Sequence, residues 1–280
     1  MRFSFLSRVH ICRVKYVITC VGLLGFAAIA EAKPFAIIGA FNTELDFIRS
    51  AISEPDTHCI LGIRFYSGIL EGKPVIISEA GVAKVNAAMT TTLLIEHFSP
   101  SAIIFSGIAG ALSDSILPGD IIIGLETVHH DLVSISDKEV MNFGVINPVT
   151  GKRNPVFFPA DEQLVSIARR ASRDIKFEPM MTTMGSRTPR IVEGTIATGD
   201  AFIGSTREKA DIRSRLNADA VEMEGAAVAQ VCHQHDIPCI IIRSISDNAD
   251  ANAAVDFETF YRIAAQHSAM LVLKMIELID

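Results

Sequence analysis

Unbroken apolar runs alternate with amphipathic stretches along most of this chain, the order expected of an α/β fold. "FAIIGA" (35–40) is short and wholly apolar, which predicts a buried strand, and "NTELDFIRSAI" after it predicts a helix with Asn42 or Thr43 as N-cap. Residues 58–81 predict two strands turning at Glu71-Gly72-Lys73-Pro74. From Ala83 to Phe98 the spacing of Val85, Met89, Thr92, Leu93 and Glu96 predicts a helix with an apolar stripe on one face, stopped before Pro100. "AIIFSGIAGAL" (102–112) reads as a strand, a glycine turn and a helix start, and "GDIIIG" (119–124) as another core strand. Residues 129–160 hold turn formers and charges with little period; a loop of that length, if the segment is one, would be long enough to be functional. Beyond it come a helix over 162–172, a strand over 190–198, the "VEMEG" junction (221–225) opening a small-residue helix, the strand "PCIIIRSIS" (238–246) and a closing helix over 257–279. No repeat, linker or low-complexity tract divides the chain.

The first residues follow a different logic. Arg2, Arg8, Arg13 and Lys15 precede an uncharged apolar stretch from Tyr16 to Ile29, and Ala30-Glu31-Ala32 offers an A-x-A cleavage site. The stretch falls short of the roughly 20 residues that span a bilayer. Residues 1–32 are therefore expected to be a secretory signal, leaving one domain over 33–280, exported to the periplasm or medium with no stable membrane association. Without the signal the chain keeps 21 Lys and Arg against 31 Asp and Glu. Such an acidic domain is a poor nucleic-acid binder, because phosphate contacts need clustered cations. Three cysteines remain, Cys59, Cys232 and Cys239, with no CxxC spacing; we expect three small buried hydrophobes, with one bridge left open.

Chemistry is suggested by three carboxylates placed at the carboxyl ends of expected strands, the edge where open α/β sheets hold ligands. They are Glu44 in "IIGAFNTE", Glu224 beside Glu222 and Met223 in "VEMEG", and Asp247 in "CIIIRSISDNAD". Singly, each also suits a helix cap or first-turn acid. Together they would line a pocket with both a general acid and a general base. "HHD" (129–131) and "CHQHD" (232–236) lack the i, i+4 histidines of a helical zinc motif, so no metal is expected. "SGIAGA" lacks the second glycine of the dinucleotide fingerprint, and there is neither a GxSxG elbow nor a Walker A loop. No cofactor is expected.

The blocks "IIGAFNTEL", "AGVAKVNAAMTTTLLIEH", "SGIAGAL", "LPGDIIIG", "ATGDAFI", "VEMEGAAVAQVC" and "RSISDNAD" resemble, in order, those of the 5'-methylthioadenosine/S-adenosylhomocysteine nucleosidases. That resemblance implies a single-domain, three-layer α/β/α fold with a central mixed, partly barrel-like sheet, as in the nucleoside phosphorylases. It implies hydrolysis of the N-glycosidic bond of an adenine nucleoside carrying a 5'-substituent. Glu44 falls where the family activates water, Asp247 where it protonates N7 of the leaving base, and Glu224 where it holds the ribose hydroxyls with Met223 beneath the sugar. Phe202 and Ile203 match the adenine slot. Glu222, Arg243 and Ser246 are implied as supporting and positioning residues, and Asp200 as structural. Phe41 and Ile108 stand where relatives carry methionine and a small polar residue, making the sugar pocket more apolar, and Ala83 replaces a family glycine. The resemblance also implies a homodimer in which residues 129–161 help close the site. A phosphate-dependent phosphorylase and a non-catalytic nucleoside-binding or storage protein of the same fold are the alternatives.

Overall fold

The computed structural model describes residues 32–182 and 185–279; apart from Ala32, the expected signal lies outside the described residues. In chain order the elements are β1 Phe35–Gly39, α1 Asn42–Arg49, β2 Ser53–Ile60, β3 Ile63–Leu70, β4 Lys73–Glu79, α2 Lys84–Phe98, β5 Ala102–Ala111, β6 Ile121–His129, β7 Val133–Ile135, β8 Val140–Asn142 and β9 Phe157–Pro159. They continue with α3 Glu162–Asp174, β10 Met180–Thr182, β11 Gly185–Arg187, β12 Ile191–Thr198, α4 Thr206–Leu216, β13 Ala220–Glu222, α5 Gly225–Gln234, β14 Cys239–Asp247 and α6 Ala253–Leu278.

The main sheet runs β13-β12-β6-β14-β5-β1-β4-β3-β2, and an antiparallel pairing of β13 with β5 closes five of these strands into a ring. Pairing is mixed: β1 lies parallel to β4 and β5, β14 parallel to β5 but antiparallel to β6. One core packs α1, α3 and α6 against Ile37, Ile77, Ile104 and Ile242; the other packs α2 and α5 against Ile38, Phe65, Phe105 and Ile241. This is the expected three-layer α/β/α arrangement with a partly barrel-like sheet. Side chains alternating along the fully buried strands supply both cores, which is why those strands read as unbroken apolar runs.

Several elements differ from expectation. Residues 102–112 make no turn: β5 is ten residues of wholly buried strand. Residues 53–79 form three strands, not two, joined by tight turns at Leu61-Gly62 and Glu71-Gly72, where both residues of each pair have positive φ, as a type I′ hairpin requires. The additional strand, β2, is a polar sheet edge, so no apolar run announced it. Cys59 lies exposed there, against the expectation of burial. The N-cap of α1 is Phe41, one residue earlier than expected, and the Glu44 side chain reaches back to its N–H. The segment 129–160 carries a β7–β8 hairpin and the strand β9, which pairs antiparallel with the end of β6. Part of the expected α2 stripe points outward: Val85 is 76% and Met89 47% exposed, whereas Leu93 packs against the core that Ala87, Thr90, Thr91, Leu94 and Ile95 face.

Candidate active site

The chemistry gathers where β1, β5, β13 and β14 end. Glu44 sits in the first turn of α1, and its carboxylate folds back into the break between β1 and the helix. Its Oε2 accepts the Ala40 N–H at 2.5 Å and the Phe41 N–H at 3.3 Å; its Oε1 accepts the Ile108 N–H of β5 at 3.0 Å. Only glycine at position 107 permits this approach, since a Cβ there would lie 2.6 Å from Glu44 Oε1 and 2.9 Å from Arg243 Nη1. Burial pushes the Glu44 pKa up to about 7, against the opposing pull of the Arg243 charge and the three backbone donors. A carboxyl poised there can exchange a proton near neutrality.

Arg243, from β14, is buried between carboxylates. Its Nη2 donates to Glu222 Oε2 at 2.6 Å and lies 3.9 Å from Glu224 Oε2, while its guanidinium stacks over Phe105 at 4.1 Å. Glu222 is saturated: it also accepts from Thr198, from the Glu224 N–H at 3.1 Å and from the Gly225 N–H at 2.7 Å. It therefore anchors the start of α5 and holds Arg243. Glu224 is freer. Its Oε1 accepts the Ala83 N–H at 2.8 Å, and burial together with the Glu222 charge raises its pKa, opposed by Arg243. Ala83 makes this contact from φ 77°, ψ 162°, a backbone region that is essentially glycine's.

Asp247 closes β14. Its Oδ2 accepts from Ser246 Oγ and its Oδ1 from the Ala249 N–H, each at 2.8 Å. Burial raises its pKa, opposed by the two donors just named and reinforced by the charges of Asp256 and Asp250. Gly110 makes room for it, since a Cβ there would be 2.7 Å from Oδ1. The glycines of "SGIAGA" thus serve close approach within a strand.

Glu44, Glu222, Glu224 and Asp247 share the wall of one cavity of about 240 Å³ with Phe41, Ile108, Phe202, Met223 and Ser246. Ile203 lines a smaller recess adjoining it, beside Phe202 and Asp247. Arg243 stands behind the wall. Asp200 is tied by the Lys84 N–H at 2.9 Å and, through its own N–H, to Asp131, a structural clasp at the rim. Phe257, stacked on Tyr261 and edge-on to Phe202, also lines the cavity and was not foreseen, because in sequence it is one apolar position among many on α6. Val82 was likewise missed. Among the described residues no group of three or more His, Cys, Asp or Glu is arranged to hold a metal ion.

Residues 34–277 match the Phosphorylase superfamily. The chain is similar to the 5'-methylthioadenosine/S-adenosylhomocysteine nucleosidase of Shewanella pealeana, 39% identical over 242 residues that cover 86% of this chain and 97% of that protein. Among solved structures it is similar to the nucleosidase of the same name from Neisseria meningitidis in complex with methylthio-immucillin-A, at 33% identity and TM-score 0.74, covering 88% of this chain and 100% of the other. It is also similar to the futalosine hydrolase of Helicobacter pylori, at 30% identity and TM-score 0.76, covering 89% and 99%.

Proposed function

The chain belongs to the 5'-methylthioadenosine/S-adenosylhomocysteine nucleosidase family of the phosphorylase superfamily, and from that premise we propose that Asp247, Glu44 and Glu224 divide the hydrolysis of an adenine nucleoside among them. The bond from ribose C1' to the base nitrogen breaks with its electron pair leaving on adenine. Asp247, whose pKa burial raises, donates a proton to N7 and so neutralises the leaving group. Positive charge develops on the sugar, and the surrounding carboxylates stabilise it. Water attacks C1' and gives its proton to Glu44. Glu224 accepts hydrogen bonds from the ribose hydroxyls, and those donors favour its anion. Phe202 supplies an aromatic face for the base, while Phe41, Val82, Ile108 and Phe257 offer an apolar setting for a 5'-thio substituent.

The observation that carries hydrolysis over phosphorolysis is the cavity wall, whose lining residues include four carboxylates and no lysine, arginine or histidine. Arg243 is already committed to Glu222. Phosphate would find no cation among these lining residues to balance its charge, and any ionised carboxylate among them repels it. The test is release of adenine from methylthioadenosine in phosphate-free buffer, with S-adenosylhomocysteine and aminodeoxyfutalosine as companion substrates. Glu44→Gln and Asp247→Asn should each lower kcat by roughly 10²–10⁴-fold with ligand binding retained. Turnover that requires phosphate, or full activity in either variant, overturns the assignment.

A homodimer is the state we infer for the enzyme, because α2 turns Val85 and Met89 outward beside the site's Val82. A protein that elutes and scatters light as a monomer at micromolar concentration refutes it.

A further inference from the structure

Cys232 and Cys239 play no part in the nucleosidase site, yet they are placed as a pair. Cys232 lies in the last turns of α5 and Cys239 opens β14, and the six residues between them fold back so that the Ile237 N–H donates to the Cys232 carbonyl at 3.0 Å. Both cysteines belong to one buried cluster between α5 and β14, and Cys239 is the neighbouring side chain that acts on the Cys232 thiol. Both also line a second, solvent-facing cavity of about 300 Å³, walled by Phe158, Asp161, His233 and Asp236. Of the two, Cys239 is the more accessible, at 9% exposure against 1% for Cys232. Neighbouring thiols on one cavity wall need only a local adjustment to meet the short Cβ separation a disulfide requires.

We propose that Cys232 and Cys239 form a redox-active dithiol that an external small-molecule disulfide, entering through this cavity, converts into an intramolecular disulfide. The Cys239 thiolate attacks the oxidant's S–S bond, forming a mixed disulfide and releasing one thiol. Cys232 then displaces the second thiol, closing the Cys232–Cys239 bond; the protein's two thiols lose two electrons and two protons to the oxidant, which leaves as two reduced thiols. The greater exposure of Cys239 assigns it the first attack, and burial with the neighbouring sulfur raises the Cys232 pKa, making that thiol the slower nucleophile. The bond joins the end of α5, whose start carries Glu224, to the start of β14, whose end carries Asp247, so it fastens the site's two supports at the side away from the chemistry.

The probe is oxidised glutathione, applied to the folded chain carrying Cys12→Ser, Cys20→Ser and Cys59→Ser so that only Cys232 and Cys239 remain as thiols. Intact mass should fall by about 2 Da, with residues 232 and 239 found in one cross-linked peptide and protected from alkylation after unfolding. Tm should rise by about 5 °C or more and return on reduction, as expected for a small closed loop, while Cys239→Ser should abolish both changes. Two alkylatable thiols after oxidant, a product that stops as the glutathione adduct, or a cross-link between chains overturns the proposal. The mass readout does not depend on catalysis, so its failure leaves the nucleosidase reading intact.

Discussion

Replacing Gly107 by alanine tests how the site is held. A methyl group at this position would stand 2.6 Å from Glu44 Oε1, 3.0 Å from Glu44 Cδ and 2.9 Å from Arg243 Nη1. Ordinary contact begins near 3.4 Å, so one partner must give by well over half an ångström. Neither can do so freely. Glu44 Oε1 is bonded to the Ile108 N–H at 3.0 Å, and Arg243 is fixed by Glu222 and by the Phe105 ring. Overpacking a tight interior costs about 1–3 kcal/mol, and loss of the Ile108 hydrogen bond in a buried place adds about 1–3 kcal/mol. Reduced freedom of the unfolded chain returns roughly 0.4–1 kcal/mol. Gly107→Ala should therefore destabilise the protein by about 2–4 kcal/mol, read as the shift of the urea midpoint at constant slope. Displacing the Glu44 carboxylate by about 1 Å should also lower kcat/KM by roughly 10²-fold. Gly204→Ala is the stability control, because a Cβ there meets nothing closer than 3.7 Å. If Gly107→Ala unfolds within about 0.5 kcal/mol of the parent, inside the usual range for neutral substitutions, and keeps its kcat/KM, the close approach is not what that glycine is for.

Two further perturbations are informative. Ala83→Gly relieves a residue at φ 77°, ψ 162°; strain of about 1–3 kcal/mol set against roughly 0.4–1 kcal/mol of added chain entropy predicts a net gain near 1 kcal/mol in the urea midpoint, and a loss would refute the strain argument. The pH dependence follows from Glu44, whose pKa rises from 4.5 to about 7 on folding. The folded state keeps that proton between those values, so its share of stability is complete below about 4.5 and is lost as pH climbs through about 7, an order of 3 kcal/mol. The acidic limb of kcat/KM should then have an apparent pKa near 7, belonging to the coupled carboxylates together. Glu44→Gln should flatten the stability slope in that window; an unchanged slope would mean another group sets it.

Much of the site could be read from the order of residues, because its chemistry lies at strand ends and strand ends are marked by the change from apolar run to polar residue. Ile37 to Ile38 before Glu44, and Ile240 to Ile242 before Asp247, placed both acids at the right edge of the sheet without coordinates. Composition and charge likewise disfavoured nucleic acid as a partner. The tertiary structure decided what depends on distance between remote residues. A glycine looks the same in a turn and in a strand, so only the meeting of Gly107 with Glu44 and Arg243, and of Gly110 with Asp247, explains the glycines of β5. Periodicity finds an apolar stripe on α2 but carries no sign for inside or outside, and the packing of Ala87, Thr91 and Leu94 assigned the other face to the core. Phe257 entered the cavity only because α6 crosses the sheet there, and Cys232 met Cys239 only because a loop folds back. Local pattern follows from each residue's own preferences and neighbours; contact between distant residues follows from how the layers dock, which no short window of sequence contains.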